Sequence, residues 1–322
     1  MSFTRKTLFV LMEYSAIVSF ANCFHLDSDQ YQPEVLPEVL VQKSSSPSGK
    51  VLLIGVDGLC PDALQKKETP HIDALVAEGA YSFAARTGKK TISFPSWSTY
   101  FTGVWEPKHG VFANPGEDAV IKANFETYPS FFTRAERYQP ELSTVSLVSW
   151  GSINDFIIKS LDENIKHPYE EKKQEADSHI AEDAVTILRE KNPDLMFIYF
   201  VNVDYSGHTY GYGAQVPEYL ASVKRIDSLV GQILNAQRSR PDYAQETWLT
   251  MLVSDHCGKG KSHDGVGEQA RTVPFIMHGP SVQPGEIIPP PTSVDVAPTA
   301  LTHLGIAVKP EWELDGKVVG LR

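Results

Sequence analysis

The sequence predicts an α/β fold in which a mostly parallel sheet is buried between helices on both faces. Three observations predict it. The runs VLLIGV (51–56), LMFIYFVNV (195–203) and WLTMLV (248–253) are apolar almost throughout, the pattern of strands covered on both faces rather than half exposed. Segments of helical periodicity separate them, which is the order that builds parallel strands. The chain of 322 residues is 42% hydrophobic, ample for one large core.

The elements follow in order. Residues 1–23 carry Arg5 and Lys6 before an apolar stretch from Thr7 to Phe20, the pattern of a secretory signal peptide that leaves no transmembrane span in the mature chain. Secreted or periplasmic location is expected, with Cys23 a weak lipoprotein-type acceptor. Residues 24–49 are polar and rich in Ser and Pro and read as a linker. Residues 50–322 form one domain. Its first strand is 51–56. TPHIDALVAEG (69–79) is a helix with Thr69 at the N-cap, Pro70 in the first turn and Gly79 at the close. A helix over 95–101 follows Ser93. Residues 143–149 suggest a strand. Helical spacing over 176–190 (Ile180, Ala184, Ile187, Leu188) and 218–237 (Val223, Ile226, Val230, Ile233) brackets the strand 195–203. Strands over 248–253 and 273–277 and a helix over 294–304 complete the core. Residues 111–175 are the least regular part and are expected to form a small cap over the site.

Net charge is −11. This argues against sequence-independent binding of duplex nucleic acid, which needs a basic surface, but not against a phosphate ester at a metal site, where the bound ion sets the local field. Of the three cysteines, Cys60 and Cys257 lie beside candidate ligands. They are expected as two buried thiols, a disulfide between them being the alternative.

Asp57, Asp204 and Asp255 all end apolar runs, and His208, His256 and His263 follow closely. Ligands collect just past the carboxyl ends of parallel strands. Three carboxylates and three imidazoles at one rim make two metal sites with donors that suit zinc. Ser93 precedes Phe94-Pro95, so it falls at a helix N-terminus, where free N–H groups and the dipole favour an oxyanion. Ser93 could equally be an ordinary N-cap, Thr91 a rival nucleophile, and His278 or His303 rivals of His263 as ligand. Trp97 either lines a pocket or packs in the core.

Ser93-Phe94-Pro95-Ser96, Thr102-Gly103 and His109-Gly110 match at the same offsets the Thr-Phe-Pro-Asn, Thr-Gly and His-Gly steps of a known group. Over roughly residues 50 to 308 the chain resembles the alkaline phosphatase superfamily, and most closely its nucleotide pyrophosphatase/phosphodiesterase branch. The resemblance implies an alkaline-phosphatase-like three-layer sandwich and two Zn2+ ions. One would be held by Asp57, Ser93, Asp255 and His256, the other by Asp204, His208 and His263. Asn114 matches the asparagine that helps bind the phosphoryl oxygen, and His109 a support residue. The implied activity is hydrolysis of a small-molecule phosphate ester, most simply a diester, through a phosphoserine. Serine at 93 and Ser96 depart from that branch's Thr and Asn. A phosphomonoesterase, a sulfatase or a degenerate non-catalytic member are the alternatives. Trp97 stands where a sulfatase has arginine.

Overall fold

The computed structural model describes residues 49–116, 123–159 and 161–322. The signal-peptide and linker readings fall outside these residues, except that Gly49 already belongs to the first strand. The strands are β1 (Gly49–Val56), β2 (Ala80–Arg86), β3 (Thr144–Val148), β4 (Glu163–Lys166), β5 (Leu195–Phe200), β6 (Thr247–Val253), β7 (Thr272–His278) and β8 (Gly285–Glu286). They form one sheet in the order β4-β3-β5-β1-β6-β7-β2-β8. β4, β3, β5, β1 and β6 run parallel, and β7 is antiparallel to both β6 and β2.

The helices of eight residues or more are α1 (Pro70–Glu78), α2 (Ser93–Thr102), α3 (Phe131–Tyr138), α4 (Ala176–Glu190), α5 (Asn202–Tyr210), α6 (Pro217–Arg238) and α7 (Val296–His303). Alternation along β1 divides them. Val51 and Leu53 pack with Phe94, Trp97 and Phe101 of α2, Phe131 of α3 and Leu301 of α7. Leu52, Ile54 and Val56 pack with Leu75 of α1, Ile180 and Leu188 of α4, and Val230 and Ile233 of α6. Successive strand side chains point to opposite faces, so every residue of β1 is buried and the chain forms three layers.

The pairing brings the carboxyl ends of β5, β1 and β6 side by side, since Ile54 stands opposite both Ile198 and Leu252. Asp57, Asp204 and Asp255 therefore emerge at one rim.

Several boundaries differ from expectation for local reasons. The run 195–203 is strand only to Phe200, and Asn202 opens α5. The Asp177 carboxylate, buried at the start of α4, accepts the N–H groups of Val201 (3.1 Å) and Asn202 (2.9 Å). It thereby satisfies donors that the new helix leaves without partners. The helix expected over 95–101 begins at Ser93 itself. The segment 111–175 is in large part core rather than cover: α3 contributes Phe131 and Phe132, and β3 and β4 belong to the main sheet.

Trp97 is a core residue. Its ring meets Tyr100, Phe101, Phe197 and Tyr199 at centroid distances of 5.4–6.4 Å. A Cβ at Gly55 would lie 2.5 Å from it, so glycine in β1 makes room for the indole. Trp97→Ala is expected to destabilise the fold by about 3–5 kcal/mol through the cavity it leaves, measurable as a loss in urea unfolding midpoint at unchanged slope.

Candidate metal centre

Three loops at the strand rim supply the site, and short contacts lock them together. After β1, Gly58 turns with φ +69°, and a Cβ there would lie 2.9 Å from Asp204 Oδ1. Only glycine suits both the left-handed backbone and that approach. The Gly58 N–H donates to Asp255 Oδ1 (3.2 Å), and Leu59 N–H to Ser254 Oγ (2.8 Å). The Tyr199 hydroxyl donates to Asp57 Oδ2, and the Tyr212 hydroxyl to Asp204 Oδ1. Asp204 and His208 sit one turn apart on α5, with His208 Nε2 3.4 Å from Asp204 Oδ2.

The three imidazoles share one arrangement. Nδ1 of His256 and of His208 each donates to a backbone carbonyl, Cys257 O and Lys261 O, both at 3.1 Å. Nδ1 of His263 donates to Thr91 O. A carbonyl only accepts, so Nδ1 carries the proton and each Nε2 presents a lone pair. His256 Nε2 lies 3.3 Å from both Asp57 Oδ1 and Asp255 Oδ2, 3.9 Å from Asp204 Oδ1 and 3.4 Å from Ser93 Oγ. His263 Nε2 lies 3.2 Å from His208 Nε2.

Lone pairs thus face lone pairs, and Asp57 Oδ1 and Asp255 Oδ2 are buried with no hydrogen-bond partner. Such an arrangement is costly by itself and favourable around a cation. Burial, then the neighbouring Asp204 charge, pushes the Asp57 carboxyl up to about 7. Burial, then Asp57 and Asp204, raises Asp255 well above the carboxylate range. Burial raises Asp204. It lowers His256 and His263, keeping both neutral.

One ligand atom from each of Asp57, Asp255 and His256 lies within 4.8 Å of the others, and the same holds for Asp204, His256 and His263. His208 adjoins the second group. All six candidate ligands therefore converge, with His256 facing both groups.

Ser93, the first residue of α2, lines a cavity of about 210 Å³ with Asp57, Asp204, Asn114, Trp150 and Tyr205. The helix start offers fewer donors than expected. Phe94 N–H is taken by Asn114 Oδ1 (3.0 Å), Pro95 has none, and Ser96 N–H closes on Ile92 O. That bond orients the Asn114 amide and leaves its Nδ2 donors available. Thr91 donates its hydroxyl to His263 O (2.6 Å) and serves the His263 loop. His278 pairs with Glu78 at 3.4 Å, and His303 bonds Thr247 O (2.9 Å) and Ser281, so neither faces the site. His109 Nε2 meets Thr99 Oγ1 at 3.0 Å, and its Nδ1 accepts Val111 N–H.

The cysteines are a correction. Cys60 and Cys257, both buried, are joined as a disulfide with Cα atoms 4.6 Å apart. They sit on the loops after β1 and β6, neighbouring strands whose ends carry Asp57 and Asp255, so pairing follows from the sheet register. The bond closes 197 residues. Cys60→Ala/Cys257→Ala is expected to cost up to roughly 4–5 kcal/mol on the loop-entropy account, read as a fall in melting temperature.

With this geometry in view, comparison with known proteins decides the family. Residues 51–271 match the family model of type I phosphodiesterase / nucleotide pyrophosphatase. The chain belongs to the type I phosphodiesterase/nucleotide pyrophosphatase family. It is 28% identical over 232 residues to human bis(5'-adenosyl)-triphosphatase ENPP4, covering 66% of this chain and 48% of that one. It is 24% identical over 244 residues to human ectonucleotide pyrophosphatase/phosphodiesterase family member 7, covering 66% and 49%. The chain thus spans about half the length of these relatives. Murine ENPP5, solved as an inactive variant in complex with AMP, superposes with TM-score 0.64 at 13% identity over 81% of this chain and 96% of that one. A 2-O GAG sulfatase superposes with TM-score 0.67 at 17% identity over 84% and 73%. The family's fold is the alkaline-phosphatase-like three-layer sandwich that the sequence implies.

Residue reading missed Tyr199 and Tyr212, which hold two of the aspartates. A tyrosine inside the wholly apolar run LMFIYF was the available signal, because a buried phenol needs a partner. Tyr212 in HTYGYG carried none.

Proposed function

We propose that this chain is a phosphodiesterase of its family that uses two Zn2+ ions and a phosphoserine at Ser93. The observation that carries the reading is the pair of orphaned, buried carboxylate oxygens, Asp57 Oδ1 and Asp255 Oδ2, facing the His256 lone pair beside Ser93. The donors are imidazole nitrogens and carboxylate oxygens, a set that suits zinc. Asp57, Ser93, Asp255 and His256 would hold one ion, and Asp204, His208 and His263 the other. When bound, the two ions supply the charge that favours a serine alkoxide, stabilises a departing oxygen and acidifies water.

The chain's own residues do the rest. Ser93 Oγ gives its proton to solvent and attacks phosphorus in line. The Oγ–P bond forms, the bond to one alcohol oxygen breaks, and that alcohol leaves with a proton from solvent. Water then attacks the phosphoserine opposite Ser93, the Oγ–P bond breaks, and the serine regains its proton. Asn114 Nδ2 holds a non-bridging oxygen throughout. Burial keeps His256 neutral, and its bond to Cys257 O orients the ring.

Three aspartates offset most of the charge of two divalent ions, which fits the single charge of a diester better than a dianionic monoester. No arginine is among the described residues lining the cavity. Arg86 pairs with Glu268 at 3.2 Å, and Arg134 stacks on Trp312 at 4.6 Å. Export of the chain is part of the proposal, supported by the N-terminal pattern and by a disulfide, which persists in oxidising compartments. Among the described residues no helix is long and apolar enough to cross a membrane. Of the segment 111–175 read as a cap, Trp150, Tyr169 and Glu170 line the cavity and act as its cover.

Turnover of bis-p-nitrophenyl phosphate, p-nitrophenyl phosphate and p-nitrophenyl sulfate tests this. The expected kcat/KM is highest for the diester by at least about tenfold, with no sulfate cleavage. Preferential sulfate cleavage would overturn the reading.

A further inference from the structure

A second cavity adjoins the metal site. Its volume is about 410 Å³, roughly twice that of the first, and Tyr169 and Tyr205 line both. Their rings lie face to face, centroids 3.5 Å apart and 16° from parallel, so one stacked pair forms the partition. Tyr205 directly follows Asp204 on α5, and the same helix contributes Ser206, Thr209 and Tyr210 to the second cavity. The far wall comes from α6, with Glu218, Ala221, Ser222 and Arg225.

The lining has a definite chemistry. Ser206 and Ser222 donate their hydroxyl hydrogens to the carbonyls of Glu218 and Asn202, both at 3.2 Å. Their oxygens are left as acceptors. Arg225 uses an Nη2 donor on Ser178 (2.9 Å) and has others to give. Tyr210 is 52% exposed and offers a ring face. Among the described lining residues, one positive charge (Arg225) stands against one negative charge (Glu218). A polyanion finds no net field here, and an acyl chain finds too many polar groups. Mixed donors and acceptors beside aromatic faces fit a neutral polyhydroxylated group.

We propose that this second cavity is the leaving-group subsite and takes a sugar or polyol alcohol of the diester. The inference rests on the phosphodiesterase reading above. Its polarity follows from α5, which carries Asp204 and His208, the ligands assigned to the ion that does not hold the Ser93 nucleophile and so would face the departing oxygen. The metal cavity holds the phosphoryl group and the retained substituent, and the leaving alcohol passes the edge of the Tyr169–Tyr205 pair that borders both cavities.

The test gives the metal-loaded protein two phosphodiesters that share a methyl group and differ in the leaving alcohol, the 6-hydroxyl of glucose or cyclohexylmethanol, followed by 31P NMR of methyl phosphate. Methyl p-nitrophenyl phosphate is the reference. Wild type is expected to prefer the glucose ester by at least about tenfold in kcat/KM, the yield of roughly one or two net hydrogen bonds. Ala221→Trp, on an exposed position of α6, fills the cavity and should abolish the preference at unchanged melting temperature and metal content. Arg225→Ala should reduce it several-fold. Equal turnover of the two esters by wild type, or a preference that survives Ala221→Trp, overturns the subsite. No turnover of the reference ester by wild type overturns the phosphodiesterase reading itself, and the subsite with it.

Discussion

Ser93→Ala is expected to lower diester turnover by at least about a thousandfold while leaving the fold and the bound metal in place. The magnitude follows from removing the atom that forms the covalent intermediate, a loss that other groups in a site do not replace. The fold is spared because the Ser93 side chain is no part of the helix cap: Ile92 occupies the N-cap position, and the Phe94 N–H is satisfied by Asn114. Metal is retained because Asp57, Asp255 and His256 still converge within 4.8 Å. Metal content and melting temperature are therefore measured with the rate. A variant with under tenfold loss at full metal loading would remove Ser93 as nucleophile. Thr91→Ala should lose far less, since its hydroxyl is committed to His263 O.

The metal-free protein is expected to lose stability as pH rises from 6.5 to 8.5, and the zinc-loaded protein to show no such loss. Asp255 is held well above the ordinary carboxylate range and Asp57 at about 7. A carboxyl raised on folding makes the folded state bind a proton that the unfolded chain has released. Its stabilisation is complete below the unfolded value and falls as pH climbs towards the folded one. Each such proton costs about 1.4 kcal/mol per pH unit. His256 and His263 are lowered on folding, so they add stability as pH rises only until the unfolded imidazoles have lost their protons, near 6.5. By about pH 7.5 those imidazoles are neutral in both states, and the carboxyls alone set the slope. Cations bound between them remove the cause, and ligand linkage adds stability of its own. Melting curves of chelator-treated and zinc-loaded protein at pH 6.5, 7.5 and 8.5 measure both. A metal-free melting temperature that stays flat or rises across this window would contradict the account.

The sheet was legible where burial is two-sided. VLLIGV, LMFIYF and WLTMLV have no polar face to satisfy, and they became β1, β5 and β6. β4 (ENIK) is a half-buried edge strand and β8 has two residues, so neither carries a periodic signal. The antiparallel run of β7 depends on its neighbours and leaves no mark in TVPFIMH. The helix at Asn202 was hidden because Asp177, 25 positions upstream, stops the strand. The rim position of Asp57, Asp204 and Asp255 was legible, since each follows a buried run. The locking of the site was not. The Tyr199 and Tyr212 hydroxyls, the carbonyls that orient three imidazoles and the Cys60–Cys257 bond find their partners only once the strands are in register and the rim loops are in place.

Anomalous scattering at the zinc edge, from crystals grown with zinc, tests the central claim most directly. The expected result is two peaks at the rim, one among Asp57, Asp255 and His256 beside Ser93, the other among Asp204, His208 and His263. A single peak, or zinc bound elsewhere with the rim empty, would contradict it.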